Sequence, residues 1–369
     1  MTGANGFLGW HTRCVLHARG AAKVIAIDKD LMADSARLQF ALSDADVVIH
    51  LAGVNRAPRE ELLIENISLA KQLTDALDQV AARPVVVFAN SIQSGNHSAF
   101  GQTKQAAADH LTAWGRRTGA PVADVHLPNL FGEHGRPHYN SVVATFCYEL
   151  AHGGKPTIVE DREISLLHVQ DAVDQLLHLA EQQEAGVFHP VGSPTLVSTL
   201  MNKLVRFHDL YITGEIPDIG ARLDRALFNT YRSFCFPGHY PIRPVLRSDV
   251  RGDLFECLQS HGSQSLVFCS TSRPGVTRGQ HFHLRKVERF LVLRGTGTIA
   301  LRRLFDQAIV RFQVTGQAPA IVDMPTMWTH SITNVGTDDL LTLFWADEML
   351  NPERPDTYPE PVELAKEAA

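Results

Sequence analysis

Hydrophobic positions fall into two textures along the chain. In the first half, short unbroken apolar runs are separated by longer stretches in which apolar residues return every three or four positions. The runs "KVIAIDKD", "DADVVIHLAG", "PVVVFANS" and "PVADVHLPN" have the length of strands buried on both faces. Between them the period predicts helices from His11 to Arg19, from Glu60 to Ala81 and from Gly101 to Arg117, the last entered through the polar turn of "HSAFGQTKQAAADHL". Strand and helix in alternation predict an α/β domain of the Rossmann type, doubly wound on a mostly parallel sheet, with its site at the carboxyl ends of the strands. From about Val245 the texture changes to short alternating runs broken by turn residues: "QSLVFCSTSRPG", "VERFLVLRGTGTIAL", "AIVRFQVTG", "APAIVDMP" and "LLTLFWA". These predict an all-β domain, most simply a double-sheet barrel. The stretch "FNTYRSFCFPGHYPIRP", rich in proline, glycine and aromatics, places the boundary near residue 240, so the expected domains are 1–240 and 245–369.

Composition narrows the function classes. A chain of 369 residues can bury two cores of ordinary size. No apolar run reaches the roughly 18 residues of a membrane span, and "MTGANGFLGW" has no basic segment followed by an apolar one, so a cytoplasmic protein is expected. Five cysteines without a C-x-x-C pair suit a reducing compartment and argue against a cysteine metal site. The net charge of -6 does not suggest a nucleic-acid partner.

Within the first half, "TGANGFLG" spaces Gly3, Gly6 and Gly9 as G-x-x-G-x-x-G ahead of a helix. Glycines in that position let the backbone approach a pyrophosphate, which the free N–H groups of the helix N-terminus then hold. Asp28 follows about 20 residues later, where a carboxylate meets an adenosine ribose, whereas Lys29 beside it suits a 2′-phosphate. NAD and NADP therefore both remain open. The strand that leads into such a loop should lie before Thr2, where this sequence supplies Met1 alone; a late start or a fragment is expected.

At these residues the chain resembles the extended short-chain dehydrogenase/reductases that act on nucleotide sugars. Gly3, Gly6, Gly9, Ala52, Gly53, Ser91 and Lys104 fall into that family's pattern, and "LPNLFG" with Asn129 resembles its substrate loop. The resemblance implies that Lys104 binds the nicotinamide ribose, with Ser91 at the catalytic centre. It also implies a tyrosine four residues before the lysine, exchanging a proton as hydride moves at C4 of the sugar. Phe100 stands there instead and has no ionisable hydrogen.

In the second half, "GVTRGQHFHLRKVERFLVLRG" carries Gly275, His281, His283, Glu288 and Gly295, and "DMPTMWTHSITN" supplies Pro325, His330 and Asn334. Two histidines separated by one residue in a strand share a face, and a neighbouring strand can bring a carboxylate beside them. This pattern resembles the cupin double motif, with Met327 where the family has a glycine in the second turn. The resemblance implies a metal held by His281, His283, Glu288 and His330, with zinc the first expectation among zinc, iron, manganese and nickel. Isolated histidines such as His168 and His189 are expected to be ordinary structural residues.

Over nearly its whole length the chain resembles the bifunctional capsular-polysaccharide enzymes of the CapF type, through "HLAGVNR", "SVVATFCYELA", "SRPGVTRGQHFHLRKVERFLVLRG", "MWTHSITNVG" and "NPERPDTY". That resemblance implies a UDP-2-acetamido-2,6-dideoxy-4-hexulose as substrate. The cupin half would epimerise C3 and the first half would reduce the C4 ketone with NADPH, towards UDP-N-acetyl-L-fucosamine. It further implies substrate contacts at Asn129, Arg136 and Asn140, and a homodimer. Lys286, next to the ligand cluster in sequence, is the candidate for proton transfer or phosphate contact. Two alternatives follow from Phe100: a cupin epimerase attached to a nucleotide-binding domain that does not reduce, or a sensing protein without catalysis. In the bifunctional reading the missing proton comes from water or from a group such as Tyr139.

Overall fold

The computed structural model describes residues 1–364 apart from 22, 350 and 354, so the last five residues of the expected second domain lie outside it. The chain begins with α1 (Phe7–Ala18), α2 (Lys29–Ala33), α3 (Ser35–Leu42), β1 (Val47–His50), α4 (Arg59–Gln79), β2 (Val85–Ser91), α5 (Ala99–Thr118) and β3 (Val122–Leu127). It continues through β4 (Asn129–Phe131), α6 (Val142–Ala151), β5 (Glu163–His168), α7 (Val169–Glu181), β6 (Gly186–Phe188) and β7 (Ser193–Leu196). Strands β1, β2, β3 and β6 pair in that order, all parallel. The apolar runs of β2 and β3 are buried on both faces, and Val86 and Phe88 join Leu73, Leu77, Leu111 and Trp114 from α4 and α5 in one cluster. Helix α5 starts at Ala99 because the Ser98 hydroxyl accepts the Gly101 N–H at 3.0 Å, and it stops at Gly119, whose φ of +78° few other residues adopt.

One expected strand is largely absent. The run at "KVIAIDKD" forms only an isolated bridge, Ile27 to Thr2, and Thr2 also bridges His50. Met1 and Thr2 thus fill the lane between the two, with Ile27 N–H on Met1 O at 2.8 Å and Thr2 N–H on Ile49 O at 3.0 Å. A strand extends only as far as its neighbour can pair with it. Helix α1 also begins four residues earlier than expected, because the loop turns into helix directly at Gly6.

The second half adds α8 (Val197–Tyr211), α9 (Arg222–Cys235), the hairpin β8 (Arg247–Asp249) and β9 (Gly252–Leu254), then β10 (Leu266–Ser272), β11 (Thr277–Phe282) and β12 (Glu288–Arg294). It ends with β13 (Thr296–Arg303), β14 (Ile309–Thr315), β15 (Ile321–Met324), β16 (Trp328–Asn334), β17 (Leu340–Ala346) and β18 (Tyr358–Pro359). Two antiparallel sheets, ordered β10-β17-β12-β15 and β14-β13-β16-β11-β18, form a β-sandwich. The run "VERFLVLRGTGTIAL" is therefore two strands in different sheets, separated at Gly295 with φ +88°.

Two compact units divide the chain. One comprises Met1–Phe131, Tyr139–Ser141 and Arg162–Thr195; the other comprises Gly132–His138, Val142–Asp161 and everything from Leu196. Within the second unit, helices α8 and α9 are joined to the sandwich by a fully buried polar network. Arg289 donates to both oxygens of Asp323 at 2.7 and 2.9 Å, Tyr211 donates to Asp323 at 2.7 Å, and Arg232 donates to Met324 O at 2.7 Å. Each buried charge has its partner, the condition under which such groups are tolerated.

Candidate functional site

The glycine loop of the first unit is built for close backbone approach. Gly3 has φ +64°, and a Cβ there would lie 2.7 Å from Ala52 N. A Cβ on Gly9 would lie 2.2 Å from Gly3 O. Gly6 opens α1 with no side-chain cap, so the first-turn N–H groups face outward, as anion binding requires. The structure therefore brings Gly3, Gly6, Gly9 and Ala52 together, with Gly53 next in line. Asp28 follows the Ile27 bridge, and its Oδ1 accepts the Leu31 N–H at 2.9 Å as the cap of α2. Lys29 is the exposed first residue of that helix.

Lys104 is not a solvated helix lysine. It is 6% exposed, donates to Ala89 O at 2.6 Å, and its ammonium lies 4.3 Å from the Phe88 ring centroid. Burial lowers its pKa to about 8, against a raising influence from Asp124. The unfolded chain holds this proton up to about pH 10.5, so between the two values the unfolded state binds more protons and stability rises with pH. Urea denaturation across that window is expected to show a gain on the order of 3 kcal/mol in the wild type that Lys104→Met lacks. Equal pH dependence in the two proteins would show that Lys104 is not buried as a charge.

Ser91 ends β2, and its Oγ accepts the Gln93 N–H at 3.2 Å. Phe100 is half-buried one turn before Lys104 on α5. Asn129 is exposed on β4 and donates to Ser165 O at 3.2 Å; Arg136 and Asn140 are exposed in the segment leading to α6. Tyr139 lies under the Arg56 guanidinium, 5.4 Å from its ring centroid. Sequence reasoning missed a polar cluster beneath the carboxyl ends of β2 and β3. There Asn90 donates to Asp124 at 2.8 Å and Asp124 meets the His126 ring at 2.9 Å. Its signal was a charged residue inside an apolar run, Asp124 in "PVADVHLPN".

In the sandwich, β11, β12 and β16 bring the four expected ligands together, with all candidate ligand atoms within 4.8 Å of one another. A bulge between Gly279 and His281 shifts the register so that His281 pairs with His330. Glu288 Oε2 lies 3.2 Å from Nε2 of both His283 and His330, and 4.0 Å from Nε2 of His281. The other ring nitrogens are committed: His283 Nδ1 donates to Asp356 O, and His330 Nδ1 donates to Trp328 O at 3.2 Å. A carbonyl only accepts, so each neutral ring spends its one proton there and turns a bare Nε2 towards the carboxylate. Burial holds the His330 pKa down to about 4 despite the pull of Glu288. Burial pushes the Glu288 carboxyl up, and the three histidines hold it well below the usual range only while their Nε2 atoms carry protons, a role that passes to a cation once those nitrogens are bare. Bare nitrogens at 3.2 Å from a carboxylate oxygen repel it unless a cation lies between them, and that spacing is close to the roughly 3.3 Å between two ligands of a tetrahedral zinc site. These four residues fit a divalent metal.

Met327 adopts φ 61° where the motif has glycine, and its N–H donates to His283 O at 2.7 Å. Asp356 secures the same loop, its carboxylate accepting the N–H groups of Leu284, Arg285 and Lys286 at 2.9, 2.7 and 2.7 Å. Beside the cluster is a pocket lined by Leu266, Phe268, Lys286, Glu288, Glu348 and Met349, among others. Lys286 Nζ donates to Thr357 Oγ1 at 3.1 Å in its wall. Asp356 and Glu348 were not foreseen, since each lies about 60 to 70 residues from the motif in irregular chain. A separate cavity lined by Gly214, Pro244, Leu254 and Ile321 holds none of the four ligands. Among the described residues, no helix is long and apolar enough to cross a membrane.

Comparisons with known proteins agree with both halves. The NAD dependent epimerase/dehydratase family matches residues 1–189, and the polysaccharide biosynthesis C-terminal domain matches residues 247–358. A UDP-2-acetamido-2,6-beta-L-arabino-hexul-4-ose reductase of Pseudomonas aeruginosa is 34% identical over 363 residues, covering 97% of each chain. The crystal structure of the capsular polysaccharide assembling protein CapF from Staphylococcus aureus aligns with a TM-score of 0.64 at 30% identity, covering 98% of this chain and 99% of that one. UDP-glucose 4-epimerase of Thermotoga maritima aligns with 56% of this chain and 81% of its own, with a TM-score of 0.50 at 19% identity, which is a likeness of fold alone.

Proposed function

This chain belongs to the NAD-dependent epimerase/dehydratase family and is of the CapF type, and from that premise we propose that it epimerises C3 and then reduces C4 of a UDP-2-acetamido-2,6-dideoxy-4-hexulose, towards UDP-N-acetyl-L-fucosamine. An NAD(P)-dependent nucleotide-sugar enzyme follows from the family; the finer assignment rests on the sites. The observation that carries it is the cluster of His281, His283, Glu288 and His330, of which Glu288 also lines a pocket together with Lys286.

A ketone at C4 makes the hydrogen at C3 acidic, so a base in the pocket removes it and an acid returns one on the other face. The sandwich acts here as a cupin. A divalent metal, zinc first, would be held by His281, His283, Glu288 and His330 and would polarise the ketone as a Lewis acid. Lys286 contacts the phosphate or takes part in proton transfer. In the domain of residues 1–240, Gly3, Gly6 and Gly9 cradle the pyrophosphate, Ala52 and Gly53 keep the floor of the site low, and Asp28 and Lys29 lie at the adenosine ribose. NADPH is the donor, Lys104 holds its nicotinamide ribose, and Ser91 orients the ketone. Asn129, Arg136 and Asn140 contact the sugar nucleotide, and the enzyme works as a cytoplasmic homodimer. Epimerisation equilibrates two ketones and reduction drains the mixture in one direction, which is why both activities belong in one chain.

A second reading has a specific observation in its favour. Phe100 removes the tyrosine that delivers the proton, leaving an epimerase with a nucleotide-binding domain that does not reduce. Supplying the 4-keto sugar in D2O, with and without NADPH, separates the two. Deuterium at C3 together with NADPH oxidation supports the bifunctional enzyme, deuterium alone supports the second reading, and the absence of both sinks the two readings together.

A further inference from the structure

Epimerisation needs a proton acceptor on one face of the sugar ring and a donor on the other, and Lys286 provides at most one of them. We propose that Glu348 is the base that removes the C3 proton, an assignment that rests on reading the sandwich pocket as the epimerase site. Glu348 lies in the bend just past β17, whose last residue Ala346 is the cross-strand partner of Glu288. The sheet register therefore delivers Glu348 to the edge of the ligand cluster, and its side chain lines the same pocket as Lys286 and Glu288.

The other acidic groups there are committed elsewhere. Glu288 faces the three histidines, and Asp356 accepts three backbone N–H groups. Asp347 is fully buried, accepts the Val287 N–H at 2.9 Å and takes the near contact of Arg225 at 2.9 Å. Glu348 keeps only the far end of that guanidinium at 3.9 Å, and its side chain is 30% exposed. Among the described carboxylates of this pocket, it is the one with an oxygen to spare for a substrate. Partial burial, then Asp347 and Asp356, raise its pKa, while Lys286 and Arg225 pull it down; the net direction is up, towards a stronger base.

The step balances without a redox partner. As the C3–H bond breaks, its hydrogen forms an O–H bond on the Glu348 carboxylate, and the electron pair passes through the C3–C4 bond onto the C4 oxygen as an enolate. A proton from the opposite side, from Lys286 or a water, returns to C3 and restores the ketone inverted. Glu348 then releases its proton to solvent, and Lys286, where it was the donor, takes one back from solvent.

The test uses the full chain with its metal and the UDP-4-keto sugar in D2O without NADPH. Glu348→Gln is expected to lower deuterium uptake at C3 by at least about a hundredfold, with bound metal per chain and thermal midpoint as in the wild type. Glu348→Asp, which keeps the carboxylate, should recover part of the rate. Undiminished uptake in Glu348→Gln overturns the assignment. So does a loss of uptake accompanied by loss of metal, since that marks a structural role. Absence of uptake in the wild type overturns the epimerase reading itself and takes this assignment with it.

Discussion

His330→Ala is expected to leave the purified chain with less than about a tenth of the wild-type metal and to lower C3 exchange roughly a thousandfold, the scale of the several kcal/mol that a Lewis acid supplies at a carbonyl. His330 is fully buried on β16, its Nδ1 is fixed by Trp328 O, and its Nε2 meets Glu288 at 3.2 Å. Alanine therefore removes a candidate ligand whose other ring nitrogen the fold already holds, and solvent cannot replace it with equal geometry. The loss also leaves Glu288 ionised in a nearly dry site with one partner fewer. Metal analysis after dialysis reads the first effect and deuterium incorporation reads the second. Full metal content in the variant would mean that the four residues are a hydrogen-bonded cluster and not a metal site.

Phe100→Tyr is the second large effect, and its direction is a gain. NADPH oxidation with the 4-keto sugar should rise by about 10²–10⁴, the usual contribution of a positioned general acid. Ser98 caps the helix that carries residue 100, so the backbone at that position is set by the fold and not by the ring. One turn further on, the buried Lys104 ammonium would lower the pKa of a phenol placed beside it. Stopped-flow absorbance of NADPH compares the two proteins. An unchanged rate at already rapid turnover would mean that another group donates the proton, and Tyr139, held under Arg56, is the first to replace with phenylalanine.

The parallel strands were legible because fully buried strands need unbroken apolar runs, as in "PVVVFANS". The ligand cluster was legible because the period of a strand places His281 and His283 on one face, and the bulge at Gly279 adjusts that aim without undoing it. Other features depend on contacts that a local pattern does not encode. The burial of Lys104 is decided by Ala89 and Phe88 on a neighbouring strand, and the role of Asp356 by three N–H groups about 70 residues earlier. The strand at Ile27 failed for the same reason: its own sequence is suitable, but its length is set by the two residues beside it. The second half of α9 was hidden because "FNTYRSFCFPGHYPIRP", with its prolines, glycine and aromatics, reads as a connection between the halves. Gly295 was visible as a residue but not as the corner between two sheets.

The fastening of the first-motif loop by the late segment around Asp356 sets an order of events at the ribosome. Synthesis runs from the N-terminus, so all four candidate ligands emerge before Asp356, Thr357 and Tyr358 exist. Until that segment arrives, the His283 ring lacks the carbonyl that fixes its tautomer, and the loop from Leu284 to Lys286 lacks its acceptor. A nascent chain stalled after β17 would hold the right ligands in the wrong register of protons. The candidate ligand cluster is therefore completed late in the life of the chain, once residues through Val362 have paired beside the strand that carries His281.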